Sequence, residues 1–90
     1  MSAPVHISLP AALVVLFPGA PRELELSAGS IAEALFVLDQ RFPGMRDRLA
    51  DSRPCIRRHI NIFVDGERAA LGTKLAPGAE VLVMTAISGG

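Results

Sequence analysis

The chain has 90 residues, half of them apolar, which suffices for one compact domain with one core and leaves no room for a second. Nine Lys and Arg balance nine Asp and Glu, and the aromatics are four Phe with no Trp or Tyr. Such a chain has no basic field to gather phosphates and few rings on which bases could stack, so nucleic acid is not expected as a partner.

Val5, Ile7 and Leu9 alternate with His6 and Ser8, the period-two pattern of a strand with one buried face. Residues Ala11 to Phe17 form an apolar run without clean alternation. No Lys or Arg precedes the run and Pro10 interrupts its start, so it reads as core rather than as an export signal. It is also far shorter than the roughly 20 residues that span a bilayer, and no membrane partner is expected. Pro18, Gly19 and Pro21 then break the chain before a second alternating segment, Arg22 to Ser27, with Leu24 and Leu26 on one side. The two segments read as a wide hairpin with room for a short helical turn between them.

Ser30 followed by Glu33 fits a capping box, in which the hydroxyl accepts a free N–H of the first turn and the carboxylate reaches back to the cap. A helix is therefore expected from Ile31, with Ile31, Ala34, Leu35, Leu38 and Phe42 on its apolar face and Glu33, Asp39 and Arg41 toward water. Pro43 and Gly44 end it at Phe42. Met45 to Leu49 suggests a short second helix and Ala50 to His59 a loop. Ile60, Ile62 and Val64 mark a third strand, closed by an Asp65-Gly66 turn. Leu71 to Leu75 is the expected return strand, ended by Pro77-Gly78. In the final strand, Glu80 to Ala86, Val81 and Val83 lie on one face and Leu82 and Met84 on the other, so it belongs in the middle of a sheet. Two strands, a helix and three strands make an α+β fold: a mixed sheet of four to five strands with one main helix on one face.

Cys55 is the only cysteine, with no second thiol and no His pair at ligand spacing. A reducing, cytoplasmic setting without a bound metal is the expectation, and Cys55 itself reads as incidental. His6 and His59 lack the spacing of any catalytic triad.

The last strand runs toward Ile87-Ser88-Gly89-Gly90, expected to be a flexible tail over residues 87–90. A diglycine has no Cβ, so another protein can close around its backbone, and an extended tail carries the carboxylate of Gly90 away from the domain. A carboxylate becomes reactive as a mixed anhydride such as an acyl-adenylate. The chain has no phosphate-binding loop, so a partner would have to handle the ATP. On two residues alone a frayed end is the blander reading; a central-type strand feeding directly into this tail favours the chemical one.

The stretch Pro77 to Gly90, together with Arg58 to Glu67 as a central hairpin, resembles the MoaD/ThiS family of sulfur carriers, closest in appearance to CysO-like or MoaD-like members because the link from Pro43 to His59 is long. The resemblance implies a ubiquitin-like β-grasp fold and a carrier that is not itself an enzyme. An E1-like adenylyltransferase/sulfurtransferase would adenylate Gly90 and a sulfur donor would make the thiocarboxylate. A cysteine-synthase-like enzyme, a molybdopterin-synthase large subunit or a thiazole synthase would accept the sulfur. No cofactor is expected to be bound to the chain itself.

Phe63, Leu82 and Met84 share the parity opposite to the core set, so they either form an apolar docking patch or lie beneath the Ala11 to Phe17 segment. Arg57 and Arg58 either meet acidic groups of a partner or form an ordinary solvated cluster. Two other functions share the fold: a ubiquitin-like modifier that passes its carboxylate to lysines, and a module that binds without covalent chemistry. Lys74, the only lysine, leaves little scope for chains of the protein linked through its own side chains.

Overall fold

The computed structural model describes residues 3–51 and 56–85. The elements are β1 (Val5–Ser8), α1 (Ala11–Val14), β2 (Glu23–Leu26), α2 (Ile31–Arg41), α3 (Met45–Leu49), β3 (Ile60–Val64), β4 (Glu67–Arg68) and β5 (Glu80–Thr85). They build one five-stranded sheet in the order β2-β1-β5-β3-β4. The β1–β5 pair is parallel and every other pair is antiparallel. β5 therefore lies at the centre of the sheet, as its apolar composition predicts.

The alternation of the strands becomes two unlike faces. Val5, Ile7, Leu26, Ile60, Ile62, Val81 and Val83 point toward the helices and are buried with Ile31, Ala34, Leu35 and Leu38 of α2. Each valine, leucine or isoleucine among them contributes about 1.5–3 kcal/mol by leaving water. Met45 and Leu49 of α3 close one end of this core, and Leu13 of α1 also enters it. Among the described residues no polar or charged side chain is buried.

Helix α2 starts where the capping pattern predicts. The Ser30 hydroxyl accepts from the Glu33 N–H at 3.2 Å, while the Glu33 carboxylate reaches one residue beyond the cap and accepts from the Gly29 N–H. Asp39, expected to face water, is half-buried and caps α3, accepting from the N–H groups of Gly44 at 3.0 Å and Arg46 at 3.2 Å.

The return strand is β4, at Glu67–Arg68, and not Leu71 to Leu75 as the sequence suggests. Asp65 and Gly66 both have positive φ, 51° and 87°, the requirement of a two-residue hairpin turn whose twist matches the sheet. Pairing therefore resumes at once, Val64 opposite Glu67 and Phe63 opposite Arg68. The 71–75 segment instead completes the start of α2: the N–H groups of Ile31 and Ala32 donate to the carbonyls of Thr73 and Leu71, both at 2.9 Å, and the Leu75 N–H donates to Gly29 at 2.9 Å. These contacts satisfy donors that a helix N-terminus otherwise leaves unpaired.

Candidate functional site

Among the described residues, no element covers the second face of the sheet. Leu82 and Met84 are among the exposed large hydrophobic side chains, and half-buried Phe63 stands directly opposite Leu82 in the β3–β5 register. The three residues proposed from parity thus meet on one surface, with Asn61 opposite Met84 and Ser8 beside Leu82. The run Ala11 to Phe17 does not fold over them. Leu13 is buried, Val14 and Phe17 pack against the core, and Val15 and Leu16 face outward.

Two shallow grooves flank the Leu82–Met84 ridge. One is lined by Phe63, Asp65, Gly66 and Glu80 on the β3 side, and the other by Ser8, Pro10, Arg22 and Glu23 on the β1 side. His6 Nε2 lies 3.1 Å from the Glu23 carboxylate on this face, with Glu25 and Glu80 as its cross-strand neighbours.

The two arginines proposed from sequence differ. The Arg57 side chain donates from Nε to the Asp47 carbonyl at 2.6 Å, and its main-chain N–H donates to Leu49 at 2.9 Å. With the Ala50–Ile56 bridge, these bonds close the link between α3 and β3, so Arg57 holds structure together. Arg58 is exposed. Because Ile60 pairs with Thr85, Arg58 and His59 stand at the end of the sheet from which the chain runs on toward its tail. Pro10 and Arg22 occupy the same end, a grouping that sequence spacing does not reveal. Ile87, Ser88, Gly89, Gly90 and Cys55 lie outside the described residues.

A five-stranded mixed sheet with its central parallel pair, one long helix on one face and an open apolar ridge leading to the tail defines the ubiquitin-like β-grasp class. The sequence profile of the ThiS family matches residues 15–90, and the chain belongs to that family. Among solved structures, the chain is similar to CysO in the BexX/CysO complex of Amycolatopsis orientalis, with a TM-score of 0.85, 23% identity and coverage of 96% of this chain and 99% of that one. It is also similar to SAMP1 from Haloferax volcanii, with a TM-score of 0.80, 26% identity and coverage of 98% and 100%. Mycobacterium tuberculosis CysO matches with a TM-score of 0.81, 25% identity and coverage of 92% and 99%. No curated protein sequence matches significantly. The family and these relatives make the chain a ubiquitin-like sulfur carrier or modifier, a class of small proteins that are generally not enzymes. Among the described residues no helix is long and apolar enough to cross a membrane.

Proposed function

We propose that the protein is a cytoplasmic sulfur carrier that acts through the carboxylate of Gly90. An oxygen of that carboxylate attacks the α-phosphorus of ATP in an E1-like enzyme, releasing pyrophosphate and leaving an acyl-adenylate. A sulfur nucleophile supplied by a donor then displaces AMP, and the resulting thiocarboxylate is consumed by an acceptor enzyme of the cysteine-synthase, molybdopterin-synthase or thiazole-synthase type. The ATP and the sulfur donor belong to the partners.

The observation that carries this reading is the geometry of β5. Among the described residues its outer side chains form an uncovered apolar ridge, and its last described residue, Thr85, pairs with Ile60 at the end of that ridge. Residues 86–90 span at most about 17 Å when extended, so a partner that receives Gly90 must also come close to Leu82 and Met84. Phe63, Leu82 and Met84 are accordingly the docking residues, with Arg58 at the tail end. Gly89, Ser88 and Ile87 form the approach to the partner's active site. CysO has been solved in a complex with BexX, and a separate partner is what a carrier requires.

Incubation with an E1-like adenylyltransferase/sulfurtransferase, ATP and a sulfur donor should convert the intact mass to that of the species with one oxygen replaced by sulfur. Deleting Gly89 and Gly90 should abolish the conversion and leave the melting temperature unchanged. If the full chain keeps its mass with each plausible partner, the proposal fails. A modifier role is the second reading, favoured by the 26% identity to SAMP1, the small archaeal modifier protein 1 of Haloferax volcanii. Gly-Gly remnants on lysines of other proteins would identify it.

A further inference from the structure

The central strand is paired on both sides for only part of its length. Against β3 its ladder continues to the pair Ile60–Thr85, but against β1 it stops at Ser8–Leu82. The direction in which the main-chain groups point follows from the bonds at the start of the strand. The Asp65 N–H donates to the Glu80 carbonyl at 2.9 Å, so Glu80, and with it Leu82 and Met84, turn their main-chain groups toward β3. The His6 N–H donates to the Ala79 carbonyl at 2.9 Å, so the odd-numbered residues, Val81, Val83 and Thr85, turn theirs toward β1.

Continuing the parallel ladder would require an N–H from residue 10 for the Val83 carbonyl. Residue 10 is proline, which has none. The chain then leaves the strand for α1, whose Leu13 and Val14 N–H groups donate to the Pro10 carbonyl at 3.0 and 3.1 Å. The Val83 carbonyl and both main-chain groups of Thr85 therefore face a groove lined by Ser8, Leu9, Pro10, Arg22 and Met84. Arg22, whose Nε donates to the Leu9 carbonyl at 3.2 Å, is the cationic side chain lining this groove.

We infer that this notch is a strand-addition site: an extended segment of the enzyme that receives the tail pairs with Val83 to Thr85 in the position β1 vacates, and carries an Asp or Glu to the Arg22 guanidinium. The inference rests on the carrier reading and specifies how the partner grips. Main-chain pairing is indifferent to side chains and supplies the affinity of such additions, while the carboxylate on Arg22 supplies their register. A segment held beside Thr85 lies against the strand from which the tail emerges, so binding would also aim Gly90.

The free protein gives the first test. Hydrogen exchange followed by NMR should show a fast-exchanging Thr85 amide beside a protected Met84 amide. Equal protection of the two would mean that the notch is already filled, by the chain's own tail or by a second copy, and would overturn the inference. The second test uses an E1-like adenylyltransferase that supports ATP–pyrophosphate exchange with the native chain, so that the carrier reading is established separately. Thr85→Pro removes only the N–H that faces the notch and leaves the β3 ladder intact. It should keep the native melting temperature within a few degrees and weaken binding by about tenfold, as the loss of one main-chain bond predicts. Arg22→Glu should weaken it by at least as much, and added salt should then relieve the loss rather than deepen it. Thr85 amide protection should also rise in the complex. Folded variants that bind within twofold of the native chain would overturn the strand addition while leaving the carrier function standing.

Discussion

Along β5, Val81 and Val83 are 4% and 2% exposed, whereas Leu82 and Met84 are 44% and 46% exposed. These residues are sequence neighbours of similar hydropathy, and their side chains leave opposite faces of one strand. What separates them is cover: α2 lies over one face and, among the described residues, no element lies over the other. Apolarity on this sheet therefore serves two ends. On the covered face it holds the fold together; on the open face it keeps a surface that another protein can dry.

The contrast breaks most sharply under truncation. Leu38, fully buried on the covered side, should lose about 2–5 kcal/mol of stability on substitution by alanine. Leu82→Ala should change stability by no more than about 0.5 kcal/mol and instead weaken docking to the activating enzyme. Urea unfolding of the two variants beside the native chain measures the first effect, and titration calorimetry with the enzyme measures the second. If Leu82→Ala destabilises the free chain as much as Leu38→Ala, the outer face is covered in solution and the distinction between the faces is wrong.

This difference also marks where sequence reasoning stops. Alternation in Val5 to Leu9 and Ile60 to Val64, the Ser30 cap and the Asp65-Gly66 turn are local signals, and each produced the element it predicts. The error at Leu71 to Leu75 has a physical cause. A short segment with leucine at each end does not name its partner, and here the partner is the N-terminus of α2, some forty residues earlier. The sheet order is equally nonlocal, so the vacancy beside Pro10 becomes visible only once β1 and β5 are known to run parallel. Parity brought Phe63, Leu82 and Met84 together correctly, yet parity alone could not say whether Ala11 to Phe17 would cover them. That outcome depends on Leu13 and Phe17 finding better burial at the end of the core.

The covered face is organised from the start of its helix, which sets the scale of the next effect. Ser30→Ala removes the hydroxyl that accepts from Glu33 and should reduce stability by about 1 kcal/mol. Ser30→Asp restores an acceptor near the positive end of the helix and should recover most of the loss. Thermal unfolding of the three proteins at one ionic strength is sufficient. A neutral Ser30→Ala would mean that the backbone bonds from Ile31 and Ala32 to the 71–75 segment hold the helix start unaided.

The smallest effect probes the open face without touching its apolar ridge. The side chains of His6 and Glu23 are 34% and 68% exposed, so their 3.1 Å contact is screened by water. Water weakens the attraction between the carboxylate and a protonated imidazole, and salt weakens it further, which limits the coupling to about 1 kcal/mol or less. A double-mutant cycle of His6→Ala and Glu23→Ala, measured by urea unfolding at low and at high salt, should give a coupling within that limit that shrinks as salt is added. The same contact buried beneath another surface would be desolvated and screened far less. A coupling that stayed large at high salt would therefore show that a second molecule or the chain's own tail lies on the open face, and the pair reports that cover directly because Glu25 and Glu80 flank His6 on the adjacent strands.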